Sequence, residues 1–280
     1  MASKLMGLGN KKWFEVLDEN KIGFDGIVDF VKAHEQVSQG GRFHKPTLHS
    51  NLLTSFRNRA NEVGLKLCDT KVGLSRDGMK IMVVANSEND KGDEYSLSCG
   101  WRNSTNSQQS LSFCFGSNCW ICSNNCINGI VKPANMRNTI GNSTKITDKM
   151  DILFDKFDSN KENIKNQIFS MKNTILTDDI IGKFIKGLIK SGDMGNKHIC
   201  DIIRDIMDDV ENPSLNSHKD NSCFRLLNSC TKVCTHDISN PILGSNLSRK
   251  CNNIIMGIIT PNFTPLGDDI DDVIEAEVLD

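Results

Sequence analysis

The sequence predicts an α+β fold: an antiparallel sheet meander of about five strands packed by helices, with a helical C-terminal half. Two observations carry this. Between residues 65 and 132, short apolar or alternating runs are separated by clusters of turn-forming residues. From Ile146 onward the apolar residues recur at helical spacing instead. The chain has 280 residues, enough for one sizeable core.

The elements follow in order. Residues 1–45 read as an irregular arm, with one helix over FDGIVDFVKAHEQV (24–37) that Gly40-Gly41 closes. KPTLHSNLLTSFRNRANEVG (45–64) is a clearer helix. Leu48, Leu52, Phe56, Ala60 and Val63 form its stripe, Pro46 opens it and Gly64 ends it. LKLCDTKV (65–72), MKIMVVAN (79–86) and EYSLSCGW (94–101) read as a three-stranded meander, joined through SRDG (75–78) and SENDKGD (87–93). RNSTNSQQS (102–110) is polar and is expected to lead into a short helix through Leu111 and Phe115. NCWIC (118–122) and INGIVK (127–132) read as two further strands.

Met150, Leu153, Phe157, Ile164, Ile168, Met171 and Ile175 continue the stripe that starts at Ile146, marking one long amphipathic helix. Thr177, followed by Asp178 and Asp179, is a good cap and first turn for a second helix ending at Ser191-Gly192. HICDIIRDIMDDV (198–210) is a third, ended by Pro213, and 221–235 a fourth. The expected organisation is an N-terminal arm (1–44), a single α+β domain (45–255, with sheet core 45–135 and helical part 145–255) and an acidic tail (256–280).

Net charge is −2, but it is unevenly placed. The last 13 residues, DDIDDVIEAEVLD, hold seven acids and no base, and without them the net charge is +5. A mildly basic body with an acidic tail suits a nucleic-acid binder whose tail (268–280) engages a partner or competes with the nucleic acid. MASKLMGLGNKK has no apolar core of the kind a secretory signal needs, and no stretch reaches the roughly 18 apolar residues of a membrane span. The expected setting is therefore cytoplasmic, with reduced thiols and no membrane contact.

The eleven cysteines concentrate in CFGSNCWICSNNCING (114–129), which contains Cys114, Cys119, Cys122 and Cys126. Cys119-x2-Cys122 is half of a zinc ribbon and Cys126 adds a third thiol, but a second pair is missing. In a strand, positions 119 and 122 point to opposite faces, which opposes joint ligation. Reduced, buried thiols are the expected state, with no metal and no cofactor. The six histidines form no local catalytic motif, and phosphate-cradling, dinucleotide, metalloprotease and serine-hydrolase signatures are all missing. Asp178-Asp179 and Asp208-Asp209 read as solvated helix ends. No enzymatic activity is expected.

Several stretches in order, PTLHSNLLTSFRNRANEVGLKL, GLSRDGMKIMVVA and SLSCGWRNST…WICSNNCINGIVK, resemble the phage and plasmid proteins called domain of unknown function 932. The matching positions are Pro46 and His49, then Ser75, Asp77 and Gly78. Gly100, Arg102, Asn103 and Ser104 follow, then Cys122, Asn124 and Gly129. FRLLNSCTKV (224–233) resembles a helix of that family more weakly. Thr105, Asn106 and Ser107 stand where the family carries His-Asp-Lys, and Ser123 stands where it carries Asp. The resemblance implies a mobile element in a host cytoplasm, and no chemistry, because the family's biochemistry is unassigned.

The order of helix, three-strand meander, helix, strand pair and long helix is also similar to the core of phage single-strand annealing recombinases. The leading expectation is single-stranded DNA binding in replication or recombination, as a homo-oligomer. Candidate contacts are Arg57, Arg59, Lys80, Trp101, Arg102, Asn103, Lys132 and Arg137, with Lys66, Lys71, Arg76 and Trp120 as further members. The competing expectation is a non-enzymatic host-interaction or anti-defence protein, which needs no catalytic residues.

Overall fold

The computed structural model describes residues 14–38, 45–91, 95–106, 108, 110–119, 124–136, 145–211, 221–238, 241–260 and 262–264. Six strands form one antiparallel sheet in sequence order: β1 (Phe14–Asp18), β2 (Leu67–Ser75), β3 (Lys80–Lys91), β4 (Tyr95–Ser104), β5 (Leu111–Cys119) and β6 (Asn124–Met136). Seven α-helices accompany it: α1 (Glu19–His34), α2 (His49–Glu62), α3 (Ile146–Asn173), α4 (Asp178–Ser191), α5 (Asn196–Glu211), α6 (Cys223–Lys232) and α7 (Pro241–Ile259). A single π-helical turn, Val233–Asp237, continues α6.

Strand alternation sorts the sheet into two faces. Val72, Leu74, Ile81, Val83, Leu97, Trp101, Leu111, Phe113 and Phe115 are buried on one face, in the same core as Ile27 and Val31 of α1 and Leu52, Leu53 and Phe56 of α2. Met150, Leu153, Phe154 and Phe157 of α3 belong to that core too, and the Phe56 and Phe154 rings lie 5.5 Å apart. Met82 and Val84 start a small second cluster on the opposite face, with Cys114 packed against it.

The N-terminal segment departs from the arm expected there. β1 pairs with β2 from Phe14↔Ser75 to Asp18↔Lys71, and Leu17 is buried in the main core. Asp18 then caps α1 by accepting from the Asn20 amide at 3.0 Å. The helical path breaks once, at Gly23 (φ 72°), so the regular helix starts where the periodicity places it.

Residues 111–115 form β5 and not a helix. Leu111, Phe113 and Phe115 alternate inward, a period of two, and their partners are Met136, Val131 and Gly129 in β6. The meander thus has six strands, one more than expected at its start. Cys119 at the end of β5 pairs with Asn124 at the start of β6, and residues 120–123 between them lie outside the described residues. The alternation argument against joint ligation by Cys119 and Cys122 therefore falls on residues that are not described. Trp120, Cys122, Arg137 and the tail lie outside the described residues, and the side chains of Cys119, Cys126 and Lys132 do as well.

The helical half follows its capping chemistry. The Ile180 amide donates to the Thr177 hydroxyl at the start of α4, and Gly192 in the left-handed conformation ends it. Cys223 through Thr231 of α6 are all buried, which makes this short helix the centre of the helical layer. Its start is tied to the α3–α4 connection by Cys223 N–H donating to the Thr174 carbonyl and Leu176 N–H to the Asn221 carbonyl. At Gly244 of α7 a Cβ would overlap the Cys234 carbonyl oxygen, so α7 crosses the π turn at backbone contact.

Gly78 ends the β2–β3 turn with φ 67°, and a Cβ there would overlap the His34 carbonyl oxygen. Gly64 after α2 has φ 78° but open space around it. Alanine at 64 costs only the left-handed backbone, about 1 kcal/mol. Alanine at 78 adds a backbone collision, and a loss above about 3 kcal/mol is expected. Urea unfolding of the two variants checks this. Equal losses would show that the contact between turn and helix end is not tight.

Candidate nucleic-acid interface

The residues expected to touch nucleic acid separate into two sets. Most of the first set holds the fold together. Arg57 is mostly buried: its guanidinium donates to Glu19 at 2.7 Å and 2.8 Å, to the Leu67 carbonyl at 2.9 Å and to Thr70 Oγ1 at 2.8 Å. Glu19 also accepts from the Thr70 amide at 2.8 Å, and the Phe24 ring lies 4.2 Å from the Arg57 carbon. This clamps α1, α2 and the irregular register of β2 between Cys68 and Lys71. Arg59 donates to Asp151 of α3 and Glu62, and the hydrogen bond to Asp151 foremost raises its pKa above the ordinary arginine value.

Trp101 is fully buried on the core face of β4, so no base can stack on it. Asn103 is equally buried; its amide donates to the Thr47 carbonyl at 3.1 Å and to His49 Nδ1 at 3.3 Å. These four corrections share a cause. Composition marks which side chains can bind phosphate or stack on a base, but not whether an internal carboxylate, carbonyl or helix already occupies them.

The second set stands on the opposite face of the sheet. Lys80 pairs across strands with Ser104, Met82 with Arg102, and Arg102 with Ser112. Lys71 pairs with Val84, and Val84 with Gly100. Cross-strand partners share a face, as do alternate residues of one strand, so Lys71, Lys80 and Arg102 project on the same side of β2, β3 and β4. All three are half-buried. Their aliphatic stems suit the low relief of a face made from Ser96, Ser98, Ser104, Ser112, Gly73, Gly100 and Gly116. At Gly100 a Cβ would overlap the Val83 carbonyl oxygen, so the β3 and β4 backbones approach too closely there for any side chain.

Arg102 reaches beyond the sheet and donates to Asn246 Oδ1 of α7 at 3.0 Å. It also lies near Cys114. Burial pushes that thiol up to about 11, and the Arg102 charge partly offsets the shift. Cys99 on the core face is pushed up by burial as well. Neither thiol is an activated nucleophile. Among the described residues no group of three or more His, Cys, Asp or Glu is placed to hold a metal ion. No helix among them is long and apolar enough to cross a membrane.

One polar joint went unread in the sequence. His49 opens α2, fully buried, and burial lowers its pKa to about 4 against the opposing pull of Glu35. The Glu35 carboxylate accepts from the Ser50 amide at 3.1 Å and from the Ser50 hydroxyl at 2.6 Å, capping α2 from outside the helix. Gln36 N–H donates to the Gly78 carbonyl at 3.1 Å, and the Thr105 hydroxyl donates to the Gln36 carbonyl. Asp77 accepts from Ser75 at 2.5 Å and from the Met79 amide at 3.0 Å. The signal for this joint was three separated motifs with no known reason to meet.

Comparison with known proteins returns nothing: no family model, no curated protein and no solved structure matches this chain. Any functional reading therefore rests on the chain's own geometry.

The joint has a pH signature. His49 has an ordinary pKa of 6.5 when unfolded and about 4 when folded. Below 6.5 the unfolded state takes up more protons than the folded one, so stability falls as pH drops from 6.5 to 4. The His49 contribution is up to about 3 kcal/mol. Urea midpoints of the native chain and of His49→Gln, measured across that range, test it. The variant is expected to lose much of the slope. An unchanged slope would remove His49 as its source.

Proposed function

We propose that the protein binds single-stranded nucleic acid along the β2–β4 face, in the replication or recombination of a mobile element. One observation carries this reading. Lys71, Lys80 and Arg102 come from three consecutive strands and stand on one side of the sheet, with Lys71 and Lys80 about 14 Å apart. Around them are hydroxyls and glycines. Ser96, Ser98, Ser104 and Ser112 are themselves buried, so what the face offers is the positive charge of three half-buried side chains, which suits a phosphate backbone better than a base edge. It reads no sequence, and it fits a strand-holding role such as annealing. The mobile-element setting comes only from the motif resemblance.

A second reading has one observation behind it. Phe169 and Ile175, at the end of α3 and just after it, are 67% and 68% exposed. Large apolar side chains so exposed, six positions apart, fit a protein partner. On this reading the chain is a non-enzymatic host-interaction protein.

Anisotropy of a labelled oligothymidylate separates the two. Binding near 50 mM salt is expected, with log affinity falling against log salt by about 0.7 for each phosphate neutralised. Replacing Lys71, Lys80 and Arg102 together by Gln is expected to reduce that slope by about 2. Phe169→Ser is expected to leave it unchanged. Absence of binding at low salt, or a triple variant with the native slope, would sink the nucleic-acid reading.

A further inference from the structure

The exposed side of α4 has a composition unlike the other helices. Gly182, Lys183, Lys186, Ile189 and Lys190 line it, and Ile189 is 63% exposed. Lys183 pairs with Asp179 at 2.6 Å. Lys186 and Lys190 make no ion pair among the described residues. Several other helical lysines are paired: Lys161 and Lys165 of α3 with Asp158 and Glu162, Lys232 with Asp205, and Lys250 with Asp193. Two neighbouring lysines flanking an exposed isoleucine are an unmatched basic and apolar stripe. Half-buried Ile185, one turn before Ile189, extends its apolar part.

The chain itself carries a segment with the complementary pattern. In DDIDDVIEAEVLD the apolar residues Ile270, Val273, Ile274 and Val278 fall at helical spacing, and all seven charges are negative. The last described residues before it follow a helix that packs on α4. The adjoining side of α4 packs on α7, where a Cβ at Gly187 would lie 2.9 Å from Ile254 Cγ2. α7 ends five residues later, and the partly buried Phe263 keeps the following turn on the core. Thr264 is the last residue described, and Asp268 follows four residues on. Four extended residues reach about 14 Å, enough to pass round a helix about 10–12 Å across.

We propose that residues 268–280 dock on the exposed side of α4 of the same molecule. The carboxylates meet Lys186 and Lys190, and the apolar stripe covers Ile189. The inference does not depend on the nucleic-acid reading, because it uses no residue of the sheet.

Zero-length carbodiimide cross-linking of the full chain tests it, since the tail has carboxylates and no lysine. An equal mixture of isotope-labelled and unlabelled protein shows whether each link lies within one molecule. Links from the tail to Lys186 or Lys190, within one molecule and lost in high salt, are expected. Ile189→Glu, which keeps both lysines, is expected to cut their yield several-fold. Tail links mainly to lysines of the sheet, links between differently labelled copies, or no tail links at all would each overturn the proposal. The first would place the tail on the candidate nucleic-acid face, and the second would make α4 an interface between copies.

Discussion

His49 sits where an imidazole is excluded from water, and a buried imidazole is stable only while neutral. Its neutral ring needs a donor at Nδ1, and Asn103 supplies one from the end of β4. The same amide holds Thr47, which fixes the entry into α2. Glu35 then occupies donors at the start of α2 that the helix cannot satisfy itself, and Gln36 bonds to Gly78 in the β2–β3 turn. Four segments far apart in sequence are thereby set against one another. The helical pair α1–α2 has one position over the sheet, and the core face of β2–β4 is closed. Three of the stretches that carry the family resemblance, around 46–49, 75–78 and 100–104, meet at this joint. Their arrangement has a packing reason that is independent of any ligand.

The Arg57 clamp and the Arg59 pairs take two of the expected contacts out of consideration. Arg57 and Arg59 are committed to Glu19, Asp151 and Glu62, so their charges are largely matched within the fold. A basic body therefore does not mean a basic surface. Two groups of the other basic residues stand out: Lys71, Lys80 and Arg102 on one face of the sheet, with Arg102 bonded to Asn246, and Lys186 with Lys190 on α4. Grouping matters more than number, because the field of scattered single charges is screened within about 8–10 Å at physiological salt.

Elements with a single strong period were legible. α2, α3 and α4 carry clean stripes and capping residues, and the meander of β2–β4 is bounded by turn clusters. β1 was hidden because five residues are too few to show alternation, and it is stabilised by pairing with β2. β5 was misread since the polar run before it looks like a helix cap, although Leu111, Phe113 and Phe115 alternate. α7 was missed entirely. Gly244, Gly257 and several Asn and Ser residues mask a stripe of Leu247, Cys251, Ile255 and Met256 that only tertiary contact sustains. For the candidate face, residue type alone nominates Lys80 and Arg102, whereas the interior positions of Trp101 and Asn103 required the fold. A fully buried tryptophan and an exposed stacking platform look identical in sequence.

The tail and the sheet face compete only if one can reach the other. Asn246 meets Arg102, and Ile254 meets α4, so the two surfaces are separated by eight residues of α7, about 12 Å along its axis. Adding the width of a helix contact puts a docked tail beyond the screening length from Arg102. Docking would then park seven negative charges away from the nucleic-acid face. Two exposed ion pairs and one isoleucine make a weak contact, comparable with a millimolar dissociation constant. A short tether supplies a millimolar effective concentration, so docked and free states would be close in energy. Near balance is the condition for a switch: a partner that captures the tail, or an anion that occupies the α4 lysines, shifts it at small cost. A docked acidic tail would thus have a physical role that does not require it to act as a mimic of nucleic acid.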